Sequence, residues 1–127
     1  MTGPADNPTI PALLTSGEEN CVWFAGRWFS RDWMVQSAWA VMTAAGPEGG
    51  LALVARNRPA HVAVMAGALD AGRALTMIHS AQSPARLAAD IERLRRPVVV
   101  AEREDWSEEA LAAARRVGSG AIAVSDG

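Results

Sequence analysis

The polar stretch His79-Ser80-Ala81-Gln82-Ser83 carries residue types suited to acid–base or nucleophilic chemistry. A histidine exchanges protons near neutral pH, and a serine becomes a nucleophile when a base lies beside it. The stretch follows an apolar run that is predicted to be a central strand, so a ligand could reach it. The sequence offers no partner acid for His79 and no base for Ser80. We therefore interpret His79 as a loop residue that hydrogen-bonds neighbouring backbone. His79, Ser80 and Gln82 are kept as candidate substrate-binding residues, and no residue is assigned a catalytic or metal-binding role.

Other titratable side chains receive structural interpretations. His61 lies near the start of a predicted amphipathic helix and is expected to be a surface residue or one whose hydrogen bonds are satisfied. Arg93, Arg95 and Arg96 lie at the end of another predicted helix, where positive charge complements the helix dipole. The acidic residues within 102–109 are interpreted as a solvated loop and helix start.

Four tryptophans, Trp23, Trp28, Trp33 and Trp39, are crowded into a short part of the chain. Aromatic side chains on hairpins and helices usually pack on a core because they bury a large apolar area. We expect these four to pack on the core, or against a part of a parent protein that lies outside this sequence.

Composition narrows the class of protein. The chain has 127 residues, half of them apolar, which is the size of one domain with a real core. Its net charge of −2 gives no reason to expect a nucleic-acid partner. All 12 basic residues are arginine, and the absence of lysine excludes a P-loop, a Schiff-base enzyme and a class A lactamase from this sequence.

The sequence also suggests a compartment. No apolar run approaches the roughly 20 residues that cross a bilayer, and the first twenty residues lack the basic start and apolar stretch of a secretory signal. Cys21 is the only cysteine, so no internal disulfide can form. A cytoplasmic protein without a membrane span is expected.

Hydrophobic periodicity divides the chain into a lead-in, residues 1–20, and a single α/β domain, residues 21–127. The domain begins with a hairpin around Gly26 and a helix over about 31–45 that Ser30 caps. Four apolar runs then predict strands, at 51–55, 74–78, 98–101 and 121–124. Helices alternate with these strands, and Ser83 and Ser107 are predicted to cap two of them. Such alternation predicts a Rossmann-like parallel sheet with helices on both faces, preceded by the hairpin and its helix.

Residues 51–101 resemble the N-terminal subdomain of adenylate-forming acyl-CoA synthetases, and the likeness extends over about residues 21–125. The matching motifs are Asn57-Arg58-Pro59, Leu69-Asp70-Ala71-Gly72, Ser83-Pro84 through Leu87, and the upstream stretch Trp28–Trp33. Each motif is weak by itself, and their order and spacing give the resemblance its specificity. The chain departs from the family at Met77-Ile78-His79-Ser80, where the family has a Pro-Leu-Asn/Asp-Pro strand end, and at Asp32-Trp33, where it has Glu-Leu.

The resemblance implies an AMP-forming acid–CoA ligase, which joins a carboxylic acid to ATP, usually with Mg²⁺, and passes the acyl group to coenzyme A. The family's Ser/Thr/Gly-rich lysine loop and its later charged motifs are absent from this sequence. We therefore expect the segment by itself to bind no cofactor and to be inactive. Its expected partners are the remainder of a parent synthetase or a second copy, and His79, Ser80 and Gln82 would line a substrate or coenzyme A channel in the complete enzyme.

Two other hypotheses remain open. The chain could be a free-standing α/β binding or scaffolding module that acts through its aromatic hairpin. It could also be a small stand-alone enzyme that uses His79. The sequence does not identify the acid that a complete ligase would activate.

Overall fold

The computed structural model of the chain describes residues 20–47 and 49–126. The predicted lead-in, residues 1–20, lies outside the described residues apart from Asn20. The strands are β1 (Asn20–Phe24), β2 (Arg27–Ser30), β3 (Leu51–Ala55), β4 (Leu75–His79), β5 (Val98–Glu102) and β6 (Gly120–Val124). The α-helices are α1 (Arg31–Ala45), α2 (Pro59–Asp70), α3 (Pro84–Leu94) and α4 (Glu108–Val117), and a 3₁₀ turn occupies Arg103–Asp105.

The N-terminal hairpin is closed by a two-residue turn. Ala25 and Gly26 both have positive φ, 52° and 81°, as a type I′ hairpin turn requires. Glycine adopts this conformation without steric cost, whereas alanine does not. The hairpin predicted around Gly26 is therefore confirmed.

The two faces of the hairpin differ in exposure because side chains alternate along each strand. Val22 pairs with Phe29, and Trp23 pairs with Trp28. Phe29 is buried and Val22 packs against the buried cluster beneath it. Trp23 and Trp28 lie on the outer face, 58% and 53% exposed, with ring centroids 5.4 Å apart. Core packing is therefore the wrong expectation for these two tryptophans.

Helix α1 begins where the sequence predicts. The Ser30 side chain accepts a hydrogen bond from the backbone N–H of Trp33 at 3.1 Å, which satisfies a donor that the first turn leaves open. The buried face is formed by Met34, Ala38 and Val41. Trp39 is 72% exposed, so core packing is the wrong expectation for this tryptophan as well. The buried stripe turns toward Val41 because α2 packs on that side of the helix.

The main sheet has four parallel strands in the order β4-β3-β5-β6. Strands β3 and β5 lie in the middle of the sheet. Four of the five residues of β3 are buried, and all five residues of β5 are buried. Strand β4 lies at the edge of the sheet and buries only Ile78, so the prediction that His79 follows a central strand is wrong. The predicted fold class, a parallel α/β sheet with helices on both faces after a hairpin and helix, is confirmed.

Two apolar layers hold the helices against opposite faces of this sheet. On one face, Val54 and Val99 pack with Leu87 and Ile91 of α3 and with the alanines of α4. On the other face, Leu53 and Val100 pack with residues of α1 and α2. Burial of this aliphatic area supplies most of the favourable free energy of folding. Among the described residues, no helix combines the length and apolar character needed to cross a membrane.

Candidate functional site

The chain reverses its direction of travel across the sheet between β3 and β5. From β3 it crosses to β4 on one side, and it then returns to β5 on the other side. The carboxyl ends of β3 and β5 are therefore neighbours whose connections leave toward opposite faces. Ligands of open α/β sheets bind outside the carboxyl ends of the strands at such a point.

A buried His–Glu pair lies at this position. His61 of α2 has no exposed surface, and Glu102 at the end of β5 is 7% exposed. The Nε2 atom of His61 lies 2.7 Å from Oε2 of Glu102. The Nδ1 atom accepts a hydrogen bond from the backbone N–H of Arg56 at 3.2 Å. Because Nδ1 is an acceptor, the proton of the neutral ring is assigned to Nε2. The Nε2–H group then donates a hydrogen bond to the Glu102 carboxylate.

Two arginines from the loop after β3 surround this pair with further charge. Arg56 donates through Nε and one terminal nitrogen to both oxygens of Asp105, each at 2.8 Å. Arg58 donates through a single nitrogen to Glu104 at 2.9 Å and lies 3.0 Å from Glu102. The hydrogen bond to Asp105 raises the pKa of Arg56 above its ordinary value, and the hydrogen bond to Glu104 does the same for Arg58.

Helix α2 takes its cap from the far end of the chain. Arg58 occupies the N-cap position but makes no side-chain capping bond. Instead, Oδ1 of Asp126, just after β6, accepts from the backbone N–H of Ala60 at 2.9 Å. The carboxylate also complements the positive end of the helix dipole. Loops after β3, β5 and β6 are thus tied together around the first turn of α2.

A cleft of about 610 Å³ opens beside this network, at the carboxyl ends of β3 and β4. Its polar wall consists of Arg56, Asn57, Arg58, His79 and Ser80. Its apolar wall consists of Ala55, Met65 and Met77. We refer to it as the β3–β4 cleft. Its volume and its mixture of apolar surface with a few convergent polar groups are typical of small-molecule sites.

The three predicted substrate-binding residues occupy different positions. His79 and Ser80 line the β3–β4 cleft. Gln82 is engaged within the loop, because its amide donates to the His79 carbonyl at 2.7 Å and to Asp90 at 3.0 Å. A substrate role for the three residues stays a prediction.

Sequence reasoning missed the buried network. His61 was expected to lie on the surface or to have its hydrogen bonds satisfied. The hydrogen bonds are satisfied, but the residue is buried. Glu102 is not part of a solvated loop, because β5 ends in the interior and buries it. One available signal was the apolar character of the residues around His61 (Pro59, Ala60, Ala63 and Val64), which predicts a helix buried on several sides. Within residues 20–47 and 49–126, no three His, Cys, Asp or Glu side chains are grouped so as to hold a metal ion.

Comparison with known proteins identifies solved structures that share this fold. The chain is similar to apo MatB from Rhodopseudomonas palustris, with a TM-score of 0.67 and 19% identity over 88% of this chain. ATP-bound MatB from the same organism gives a TM-score of 0.62 and 20% identity over 76% of the chain. An ATP-bound RpMatB-BxBclM chimera gives a TM-score of 0.68 and 19% identity over 88% of the chain.

The matched region is a small part of those proteins. It covers 24% of apo MatB, 20% of ATP-bound MatB and 24% of the chimera, so this chain spans about a quarter of their length or less. No protein-family model matches the sequence, and no curated protein matches it either. At this level of identity, the comparisons show a shared fold.

Proposed function

We propose that this chain is a segment of an AMP-forming acid–CoA ligase. Such an enzyme joins a carboxylate to the α-phosphate of ATP with loss of pyrophosphate, and the coenzyme A thiol then displaces AMP from the acyl-adenylate. The observation that carries the proposal is the fold that this chain shares over 88% of its length with apo MatB, a protein whose structure is also known with ATP bound. The order of the motifs from Asn57-Arg58-Pro59 to Ser83-Pro84 supports the same assignment.

Within such an enzyme, the segment would form a wall of the active site and leave the chemistry to other residues. Phosphoryl and adenylyl chemistry needs cationic donors around the triphosphate. The two arginines in the loop after β3 do not fit that need, because their charges are already paired. Their partners are the carboxylates of Glu102, Glu104 and Asp105. We therefore expect ATP and Mg²⁺ to be held by residues outside this sequence, and the segment to be inactive by itself.

The edges of the sheet support a role within a larger assembly. Strand β6 contains only glycine and aliphatic residues, and Gly120, Ala121 and Ala123 are exposed. Gly120 donates to the Pro97 carbonyl, toward β5. Because the backbone alternates, Ala121 and Ala123 direct their N–H and C=O groups to the side of β6 on which no other described strand pairs. Free-standing proteins usually protect such an edge with charge, proline or a covering loop.

Acid-dependent exchange of pyrophosphate into ATP tests the proposal. An antibody against the 127-residue chain would purify the native protein from its source cells, and both preparations would be assayed with a panel of carboxylic acids. We expect exchange by the native protein with at least one acid and none by the 127-residue chain. Absence of exchange from the native protein with every acid would contradict the ligase assignment, and exchange by the short chain would contradict its inactivity.

One observation favours the alternative, a free-standing binding module. The β3–β4 cleft exists within this chain without help from any other segment. A module of this kind should be a monodisperse monomer or symmetric dimer that binds no hydrophobic dye. A segment with uncovered surfaces should instead bind such a dye or self-associate.

A further inference from the structure

A groove of about 260 Å³ runs between α1 and α2 and shares no lining residue with the β3–β4 cleft. Two small residues, Ala38 of α1 and Gly67 of α2, lie where the helices approach each other. A Cβ atom added to Gly67 would lie 3.1 Å from the Cβ of Ala38. Larger side chains, Val35 and Met42, line the same groove. We refer to it as the α1–α2 groove.

Trp39 lines this groove and is 72% exposed. Among the described residues, its indole makes no hydrogen bond and no contact with another aromatic ring. The ring faces of an indole carry partial negative charge, and a cation within about 6 Å of the ring is attracted to them. Trp39 therefore offers an unused surface to a cation.

Asp70 lines the same groove and has a free carboxylate. It is exposed, and among the described residues it forms no ion pair and accepts no hydrogen bond. Asp70 is also the last residue of α2, a helix whose last turn contains no basic residue. The negative end of the helix dipole thus adds to the negative charge of the carboxylate. A cation bound here would be attracted by both.

The nearest listed positive charge beyond the groove is already engaged. Arg73 lines a neighbouring cavity rather than the α1–α2 groove. Its guanidinium donates to the carbonyl oxygens of Gly46 at 2.7 Å and Gly49 at 2.9 Å. Among the described residues that line the groove, Asp70 alone carries a charge. The groove therefore combines apolar walls, one aromatic ring and one unpaired negative charge.

The scarcity of hydrogen-bond acceptors limits which cation fits. A primary ammonium has three N–H donors and a guanidinium has five, and each donor that loses water without finding an acceptor costs free energy. Asp70 carries the only strong side-chain acceptor among the described lining residues. A quaternary ammonium has no N–H donor, and its methyl groups can pack against apolar walls and an indole ring.

We propose that the α1–α2 groove binds a small free quaternary ammonium compound. The indole of Trp39 and the carboxylate of Asp70 attract its charge, and Val35 and Met42 contact its methyl groups. This binding function belongs to the 127-residue chain itself, and it does not depend on the proposed ligase activity.

NMR titration of the 127-residue chain with choline tests this inference. The indole N–H signal of Trp39 is followed, and it is assigned by its absence from Trp39→Leu. Two ligands serve as comparisons: 3,3-dimethyl-1-butanol has the shape of choline without its charge, and ethanolamine has the charge with three N–H donors. We expect a saturable shift with choline and at least about fivefold weaker binding of both comparison ligands. A shift that does not saturate, or equal binding of either comparison ligand, would overturn the proposal.

Variants locate the site, with binding measured on the methyl signal of choline. Trp39→Leu and Asp70→Asn should each weaken choline binding several-fold. Asp70→Asn should leave binding of 3,3-dimethyl-1-butanol unchanged, whereas a variant that merely distorted the groove would weaken both ligands. Trp23→Leu and Glu109→Gln are the matched controls at exposed positions outside the groove, and both should bind choline as the wild type does. Unchanged choline affinity in Asp70→Asn would contradict the proposal.

Vesicles of phosphatidylcholine distinguish a free ligand from a membrane headgroup. The lipid carries the same quaternary ammonium together with a phosphate, which the Asp70 carboxylate repels. We expect the chain to remain in the supernatant when such vesicles are sedimented. Sedimentation of the wild-type chain with the vesicles, abolished in Asp70→Asn, would overturn the assignment to a free ligand.

Discussion

The imidazole of His61, which has no exposed surface, donates a hydrogen bond from Nε2 to the carboxylate of Glu102 across 2.7 Å. The two residues come from α2 and β5, which are 41 positions apart in sequence. Their hydrogen bond fixes the first turn of α2 against the end of a central strand. The loops that line the β3–β4 cleft are thereby held in place from the buried side.

Replacing His61 with phenylalanine should destabilise the fold while roughly preserving volume. The change leaves the Glu102 carboxylate without its Nε2–H donor and the Arg56 N–H without its acceptor. We expect the free energy of unfolding to fall by about 2–3 kcal/mol, measured by urea denaturation. His79→Phe is the matched control, because His79 is exposed, and it should change stability by less than about 0.5 kcal/mol. Equal effects of the two substitutions would show that the buried pair adds no stability.

The two-point ion pair between Arg56 and Asp105 should show measurable coupling. Their side chains are 26% and 10% exposed, so solvent screens them only in part. A double-mutant cycle with Arg56→Met and Asp105→Asn should give a coupling energy of about 1 kcal/mol. The comparison pair is Arg116 and Glu92, which has the same two-point geometry but is 56% and 40% exposed. Its coupling should be smaller, and a larger value there would contradict the account.

The side chain of Gln82 should lower the pKa of Asp90. Its amide hydrogen bond, followed by the contact from Arg93, holds the pKa of Asp90 below the ordinary value, while partial burial acts in the opposite direction. The folded-state pKa is therefore lower than the unfolded value of about 3.9. The resulting stability is fully present above about pH 4 and is lost as the pH falls through the folded-state pKa.

NMR titration of the Asp90 carboxyl carbon measures this effect. Gln82→Ala should raise the pKa of Asp90, because the largest contribution that lowers it is removed. Arg86→Gln is the control. The charge of Arg86 lowers the pKa of Asp90 less than Gln82 or Arg93 does, so this variant should produce a smaller rise in that pKa. An unchanged Asp90 pKa in Gln82→Ala would mean that the Gln82 amide does not hydrogen-bond to Asp90 in solution.

A charge placed on the open edge of the sheet should reduce self-association of the chain. Ala123 is exposed on β6, and lysine on an edge strand opposes pairing with another strand. We expect Ala123→Lys to lower the associated fraction several-fold in concentration-dependent light scattering. Ala44→Lys, at an exposed position of α1, should leave it unchanged. A wild-type chain that stays monomeric at every concentration would contradict this prediction and favour the free-standing module.

The elements themselves could be predicted because their signals are local. Ser30, Ser83 and Ser107 each accept a hydrogen bond from the backbone three residues ahead, as their positions before helical runs predict. The continuous apolar runs at 51–55 and 98–101 likewise predict strands, and β3 and β5 are the two central strands of the sheet.

The candidate site could be predicted only in part, because it depends on strand order. His79 and Ser80 were found because they directly follow an apolar run. The buried pair of His61 and Glu102 requires β3 to lie between β4 and β5, which no local pattern reveals. Trp39 was misplaced for a related reason, since the buried side of α1 is decided by where α2 packs.

The size of the polypeptide that carries this sequence in its source cells tests the ligase assignment most directly. Immunopurification with an antibody against the 127-residue chain, followed by intact-mass analysis, gives that size. The account predicts a polypeptide several times heavier than 13.4 kDa, since this fold spans about a quarter of apo MatB. A native polypeptide of 13.4 kDa would contradict the ligase assignment and favour the hypothesis of a free-standing module.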